Sequence, residues 1–247
     1  MSPDVIFYLC MGAMAGGFIN GFSGTGTALF ALGFYLVVLD PVRSVAIVAL
    51  LAVLVGLQGL WIVRKSILDR PKRTLRFVVP GLIGVPLGVG LLNVIDASVL
   101  RLSIAVFLIV YGVYFGFRAN LPSFSRPAPL ADAGVGLIGG VLGGAASVSG
   151  AIPQMWLSLR PWKKAEVRAV LQPFNGAVLG TTVGMLFWGG AYDLLAVTAL
   201  LITIPIGFIS AQVGIMAFRR VSDTSFRRLL ILITMMMGLG ILASEVA

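Results

Sequence analysis

Two glycine-rich stretches decide the fold: Gly16-Gly17-Phe18-Ile19-Asn20-Gly21-Phe22-Ser23-Gly24-Thr25-Gly26 and Gly139-Gly140-Val141-Leu142-Gly143-Gly144-Ala145-Ala146-Ser147-Val148-Ser149-Gly150-Ala151-Ile152-Pro153. Each interrupts a segment that is otherwise apolar enough for a bilayer, where an unpaired backbone polar group costs several kcal/mol. Irregular backbone is tolerated at that depth only where it is buried in protein or lines a polar cavity. Paired interruptions in the two halves of a membrane protein indicate the binding site of a transporter.

The composition excludes an ordinary soluble domain. Of the 247 residues, 59% are hydrophobic and 11% are charged, whereas a soluble domain has about 25% charged residues. Histidine is absent and Cys10 is the only cysteine, so an intrachain disulfide and a cysteine metal cluster are excluded. The first residues lack a basic region, so we expect no cleavable signal peptide. The net charge of +9 comes from loops between apolar segments, which indicates a lipid bilayer and not nucleic acid as the partner.

Segment lengths predict an all-α integral membrane protein. A helix needs about 20 apolar residues to cross a hydrocarbon core of about 30 Å. Six segments meet that length: 44–63, 75–92, 98–117, 168–188, 193–215 and 226–244. The interrupted segments, 5–39 and 131–159, are predicted to be re-entrant helical hairpins with Gly/Ser tips near the midplane. Each half then contains one hairpin and three spans, with a first repeat at 1–118, a linker at 119–130 and a second repeat at 131–247.

Sequence matches between the halves indicate an internal duplication. Val42-Arg43 corresponds to Val167-Arg168, and Ile83-Gly84 corresponds to Ile206-Gly207, each pair about 123 to 126 residues apart. Several matches in order at a nearly constant offset are typical of a repeat. The alternative is that glycine and valine recur because membrane helices are rich in them.

The basic residues predict an inverted topology. Sixteen of the 18 cations lie in four connectors, at 64–76, 118–126, 160–168 and 219–228. If residues 131–159 crossed the membrane once, the first two connectors, with eight cations, would lie on one side and the last two, with the other eight, on the opposite side. A re-entrant hairpin places all sixteen on one side, as the positive-inside rule expects. We therefore expect these connectors to be cytoplasmic in a bacterial-type inner membrane, with both termini and residues 93–97 and 189–192 outside. The N-terminal segment has too few charges for the same test, so eight simple spans remain an alternative.

The hairpin tips are predicted to bind a small anion. Unpaired backbone N–H groups at the start of a helix and the positive end of its dipole form an anion site, to which hydroxyl and amide side chains add donors. The candidate substrate-binding residues are Asn20, Gly21, Ser23, Gly24, Thr25, Gly26, Ser147, Ser149, Gly150 and Gln154. The alternative is that the small residues only permit tight helix packing.

Two arginines follow the hairpins. Arg43 and Arg168 each begin the next span, and in an inverted repeat they are expected near opposite membrane faces, where they would attract anions or gate the path. Gln172 and Asn175 share a helical stripe with Arg168, and such a polar stripe should face the bundle interior. Interfacial snorkelling is the alternative for both arginines.

The residue types in the predicted spans disfavour several other kinds of chemistry. No carboxylate falls in the middle of a predicted span, which disfavours cationic substrates and a proton relay. Gly21-Phe22-Ser23-Gly24 resembles the motif of intramembrane serine proteases, but that chemistry needs a histidine base and the chain has none. We expect neither an enzyme, nor a metal site, nor a cofactor.

The chain resembles the TauE/SafE family of sulfite exporter-like permeases over nearly its whole length. The resemblance rests on Gly16 to Gly26, on Ser147 to Pro153 after Gly143-Gly144, and on Val167-Arg168-Ala169. It implies transport of small sulfur-containing anions such as sulfite, sulfoacetate or related sulfonates. We therefore predict an anion transporter that works by alternating access. An anion channel and a non-transporting membrane assembly factor are the alternatives, and the oligomeric state is left open.

Overall fold

The computed structural model describes residues 1–91, 97–116 and 123–246, and these form ten α-helices. The helices are α1 (Pro3–Ser23), α2 (Thr27–Tyr35), α3 (Pro41–Asp69), α4 (Pro71–Leu91), α5 (Ala97–Gly116), α6 (Pro129–Ala146), α7 (Ala151–Ser158), α8 (Lys164–Trp188), α9 (Leu194–Arg220) and α10 (Asp223–Val246). The all-helical fold class is confirmed.

Six of these helices, α1, α3, α4, α6, α8 and α9, are long and apolar enough to cross a membrane. Their outward side chains are apolar as well, as at Ile83, Leu201 and Ile209. Trp61 and Trp188 are exposed near opposite ends of the bundle, where tryptophan is typical of the membrane–water interface. The protein is therefore a multi-pass membrane protein.

Both interrupted segments are helical hairpins. The first helix of each ends at a residue in the left-handed conformation, Gly24 with φ +87° and Ser147 with φ +57°. The chain then turns back, so that Gly12 of α1 contacts Tyr35 and Gly139 of α6 contacts the backbone of Ser149. The arms are unequal, because α1 and α6 have 21 and 18 residues whereas α2 and α7 have nine and eight.

Helix packing is consistent with the predicted inverted repeat. Under the predicted repeat α3 corresponds to α8, and these two helices pack against each other in opposite directions. Near the start of α3 the carbonyl of Ala46 accepts a bond from Tyr192, just after the end of α8, and Gly59, further along α3, contacts Gln172 near the start of α8. The equivalent pair α5 and α10 is also antiparallel. The repeat boundaries remain predictions.

The two halves are joined through glycines. In the interface of α1 with α9, Gly17 lies against the backbone of Gly207, and in the interface of α4 with α6, Gly140 lies against the backbone of Gly81. These two helix pairs correspond to each other under the predicted repeat. In both places the backbones approach so closely that a Cβ would not fit, which is the packing that small residues permit in membranes.

The basic connectors meet at one end of the bundle. Arg73 at the start of α4 bonds to Glu166 of α8, Lys164 bonds to the carbonyls of Phe218 and Val221, and Arg160 bonds to the carbonyl of Arg126. We call this the basic end. Arg126 and Arg160, which flank residues 131–159, meet at this end, so the chain between them turns back as a hairpin. That this hairpin is re-entrant in the membrane stays a prediction. Which side of the membrane the basic end faces remains a prediction.

Two predicted connectors are much shorter than expected. Only Arg70 separates α3 from α4, and only Val221 and Ser222 separate α9 from α10. Lysine and arginine are good helix formers, so the helices continue beyond the apolar segments. The predicted outer loop at 93–97 and the start of the linker fall largely outside the described residues.

Candidate functional site

The two hairpin tips meet beside Asn175, in the middle of α8. The Oδ1 atom of Asn175 accepts hydrogen bonds from the hydroxyls of Thr25, at 3.4 Å, and Ser149. Thr25 belongs to the first hairpin and Ser149 to the second, so a single side-chain oxygen joins the halves. All three residues are buried. The sequence pattern predicted that the tips share one location, and the structure brings these residues together.

Gly150 gives the closest contact between the tips. A Cβ at this position would overlap the side chain of Thr25, so only glycine permits the approach. On the other side of Thr25, its carbonyl accepts a bond from the Ser23 hydroxyl at 2.7 Å. Glycine thus allows the backbone of the second tip to pack directly on Thr25 of the first tip.

Both short helices begin at the tips without a side-chain cap. The N-cap of α2 is Gly26, with φ +95°, and the N-cap of α7 is Gly150. Neither glycine has a side chain that could satisfy the first N–H groups of its helix. The positive ends of two helix dipoles therefore point into the region where the tips meet, as the sequence predicted.

A second buried network lies beside the first tip. The Nε2 atom of Gln172 donates to the carbonyl of Gly56 at 2.8 Å and to Oδ1 of Asn20 at 3.5 Å. Asn20 in turn donates to Thr27 at 2.8 Å and to the carbonyl of Ala52 at 3.3 Å. Gln172 thus lies beside the first tip, and its role in gating or anion attraction, expected together with that of Arg168 and Asn175, stays a prediction.

Arg168 is buried inside the protein. None of its surface is exposed, and its Nε donates to Oε1 of Gln172 at 3.3 Å while Nη1 donates to the carbonyl of Phe22 at 3.4 Å. Arg168 lies one turn after Lys164 and against Phe218, both at the basic end, so its predicted position near a membrane face stays a prediction. Its burial does not fit the alternative of interfacial snorkelling, because the bond to Gln172 directs the side chain along α8 towards the first tip.

Two of the predicted binding residues, Ser147 and Gly21, have other neighbours. Ser147 donates to the carbonyl of Val45 in α3 at 3.1 Å, Gly21 lies against the backbone of Ala211 in α9, and Gln154 is buried within α7. Packing explains Gly21, and the bond to α3 explains the orientation of Ser147. We leave these two out of the site proposed below.

Arg43 lies at the end of the bundle opposite to the basic end. Its guanidinium bonds to Asp193, with Nη2 at 2.6 Å and Nε at 2.9 Å, and also to Asp40. These donors and the N–H of Ala196 hold the pKa of Asp193 below its usual value. Two carboxylates compensate the Arg43 charge, which argues against anion attraction, while the bond to Asp193 joins α3 to α9.

An ion-pair cluster at the basic end was missed by the sequence analysis. Oε1 of Glu166 in α8 lies 3.0 Å from Arg73 and 3.5 Å from Arg70, at the start of α4. The cluster lines a cavity of about 380 Å³ between the ends of α3, α4 and α8. Under the predicted repeat α4 corresponds to α9 and α8 to α3, so this ion pair joins the helices equivalent to those that Arg43 and Asp193 join, although the residues are not themselves equivalent.

Comparison with known proteins identifies the family of the chain. The family model described as Sulfite exporter TauE/SafE matches residues 8–241. The chain belongs to the TauE/SafE family. No curated protein and no solved structure matches it.

Membership of the TauE/SafE family indicates a membrane transporter of the sulfite exporter type. Both tips and the residues around Asn175 lie within the matched range, as do the ion pairs at the two ends. In the described part of this TauE/SafE chain, no group of three or more metal-ligating side chains comes together.

Proposed function

We propose that this TauE/SafE protein transports a small sulfur oxyanion or organosulfonate through a site between the two hairpin tips. The observation that carries the proposal is the meeting of both tips at Asn175, with Thr25, Ser149 and Gly150 in contact. In transporters with inverted repeats, broken helices form the substrate site near the midplane and direct their positive ends at anionic groups.

The charge distribution supports an anionic substrate. The acidic side chains that the structure describes lie at helix ends or in connectors, among them Asp40, Asp132, Glu166 and Asp193. The tips supply hydroxyl groups, uncapped helix starts and no described carboxylate. An anion there would meet donors without repulsion, whereas a cation would find no compensating charge.

We propose alternating access as the mechanism, with the ion pairs at the two ends as gates. Arg43 with Asp193 joins α3 to α9, and Glu166 with Arg73 joins α8 to α4. Under the predicted repeat the two ion pairs join equivalent helices at opposite ends of the bundle. Opening of one pair while the other stays closed would expose the tips to one side at a time.

Transport in proteoliposomes tests this proposal. A carrier would show saturable uptake of labelled sulfite, accelerated by unlabelled sulfite inside the vesicles. The parent protein is compared with Gly150→Ala, in which the added methyl overlaps Thr25, and with Gly180→Ala, where nothing lies within 4 Å. We expect Gly150→Ala to lose uptake and Gly180→Ala to retain it.

The same preparation separates the alternatives. Non-saturating single-channel currents without counterflow would instead identify an anion channel. Absence of both flux and binding for sulfite, thiosulfate, sulfoacetate, taurine and carboxylates would favour a non-transporting assembly factor. Binding is measured by thermal shift, because a ligand at 100 times its Kd stabilises a protein by about 2.7 kcal/mol.

A further inference from the structure

Arg168 has a charge without a described counter-charge. It is fully buried, and the structure describes no carboxylate in contact with it. Arg160, the other arginine that is buried among the residues whose burial the structure describes, has such a partner, since its Nη2 lies 3.1 Å from Asp132. Burying an ionised group without a partner costs many kcal/mol, so an uncompensated arginine within a membrane protein calls for a functional explanation.

The donors of Arg168 are only partly used. Nε bonds to Gln172 and Nη1 to the carbonyl of Phe22, while Nη2 is buried and has no hydrogen-bond partner. The ring of Phe218 lies 4.6 Å from the guanidinium carbon and covers a face. Nη2 has two N–H groups and Nη1 has a second, so the edge between Nη1 and Nη2 remains able to donate.

This arginine also adjoins the first tip. A Cβ on Gly24 would lie 3.2 Å from Cγ of Arg168 and 2.6 Å from Oε1 of Gln172. Gln172 continues the network to Asn20 and thereby to Thr27, at the start of α2. The Arg168 side chain therefore lies against Gly24 of the first tip, and Gln172 and Asn20 connect it by hydrogen bonds to Thr27 at the uncapped start of α2.

We propose that Arg168 provides the counter-charge for the transported anion and that its free edge selects oxyanions over halides. This inference rests on the proposed function, which it deepens by assigning the charged recognition element. A guanidinium presents its N–H groups in a planar fork, which matches two oxygens of a carboxylate, phosphate or sulfonate. A spherical halide gains less from that geometry. Sulfite and sulfonates have the required pair of oxygens.

The purified protein in detergent tests this assignment by calorimetric titration with sulfite, sulfoacetate and chloride. Truncating one partner of a buried charge pair has a large effect, so Arg168→Gln should weaken sulfite binding about 100-fold. Arg168→Lys retains the charge without the fork, and should bind sulfite more weakly while its preference for sulfite over chloride falls. Arg64→Gln is the control, because Arg64 is exposed and stacks on Trp61.

The outcomes distinguish the two proposals. If the parent binds sulfite and Arg168→Gln binds it equally well, Arg168 only holds the end of α1 and this inference is overturned while the proposed function stands. An unchanged sulfite-to-chloride ratio in Arg168→Lys would refute the selectivity, even if Arg168→Gln does not fold. If the parent binds none of the three anions, the proposed function itself fails.

Discussion

Asn175 is the residue at which the two halves of the molecule meet. Its side-chain oxygen accepts from one hydroxyl of each hairpin, so any movement of one tip relative to the other must change at least one of these bonds. An anion that takes over the hydroxyl donors would release Asn175 from the tips. Ligand binding and tip movement are therefore coupled in the proposed mechanism.

Ser149→Ala tests the contribution of a tip hydroxyl. Loss of one hydrogen bond to a charged ligand costs about 1.5 to 3 kcal/mol, so sulfite affinity should fall about tenfold to a hundredfold. Thr198→Ala removes an exposed hydroxyl that bonds to the carbonyl of Leu194 and should leave affinity unchanged in the same titration. If Ser149→Ala and Ser23→Ala both bind as tightly as the parent, the tips are packing elements and the anion binds elsewhere.

Ser147 allows a separate test of the hairpin turn. Its left-handed conformation, φ +57°, costs a residue with a Cβ about 1–2 kcal/mol, whereas glycine adopts it readily. Ser147→Gly and Ser147→Ala both lose the bond to Val45, so Ser147→Ala should be the less stable by about 1 kcal/mol. Thermal unfolding in detergent measures the difference, and equal melting temperatures would contradict the strained turn.

The sequence predicted which side chains of α8 share a face better than it predicted what each side chain contacts. The stripe of Arg168, Gln172 and Asn175 follows from helical spacing alone, and the structure confirms that it faces the interior. The complete burial of Arg168 does not follow from helical spacing, because it depends on where the first tip packs. Gly21 shows the same limit, since tip glycines and packing glycines are indistinguishable in sequence.

At the scale of helices, the crossed pairing of the halves is the main feature. The hairpin helices α1 and α6 do not pack chiefly within their own halves, because α1 lies along α9 and α6 lies along α4. The glycines in these interfaces leave no room for side chains. These interfaces therefore hold each hairpin to the opposite half.

Two glycines of α6 provide a matched test of this interface. Gly140 lies against the backbone of Gly81, whereas nothing lies within 4 Å of Gly134. Gly140→Ala should destabilise the protein by about 1–3 kcal/mol, the usual cost of overpacking, and Gly134→Ala should be neutral or slightly stabilising. Thermal melting of both variants measures the difference. Similar losses of stability in the two would show that close packing at Gly140 is not the cause of the destabilisation.

The pairing of Arg43 with Asp193 makes a prediction about transport. Arg43→Gln should change uptake mainly from the side that this pair closes, with little effect on melting temperature, because the pair is partly exposed. The exchange of Arg43→Asp with Asp193→Arg should restore part of the activity. Additive losses in the double variant would show that the contact has no role in gating.

Acid should open the same contact only at low pH. The pKa of Asp193 is held below its usual value by Arg43 and by the N–H of Ala196, and that usual value is about 3.9. The pair is therefore complete above that pH and is lost as the pH falls through the lowered pKa. Uptake by the parent should not change through this group between about pH 5 and 8, and a difference between the parent and Asp193→Asn should persist across that range.

The contact itself was not predictable from sequence. Arg43 and Asp193 lie in different halves, and a local pattern contains no information about such a distant partner. The hairpins were predictable, because glycine and serine within apolar segments have few other physical explanations. The short connectors were not predictable from hydropathy. Arginine and lysine are polar but favour helix, so the helices continue beyond the apolar segments.

For the whole molecule, the basic end determines how the protein sits in the membrane. The described connectors there touch one another through Arg73, Lys164 and Arg160, while Arg43 and its acidic partners lie at the other end. From the positive-inside rule we predict that the basic end faces the cytoplasm.

Cysteine labelling in intact cells tests that orientation. In a Cys10→Ser background, cysteines at Ser66 and Ser222 should resist an impermeant thiol reagent, because both positions lie at the basic end. A cysteine at Gly189, in the predicted outer turn, should react and serves as the control. Labelling of Ser66→Cys and Ser222→Cys with protection of Gly189→Cys would reverse the orientation, and labelling of only one of the first two would contradict the fold.

The crossed packing of α1 on α9 has a consequence for biosynthesis. Gly17 and Gly207 touch, but at about 5–20 residues per second the ribosome adds the second roughly 10 to 40 seconds after the first. During that interval α1 lies in the bilayer without α9, the helix against which its glycines pack. A nascent chain truncated before residue 194 should therefore leave α1 open to extraction, to proteolysis or to pairing with another newly made copy.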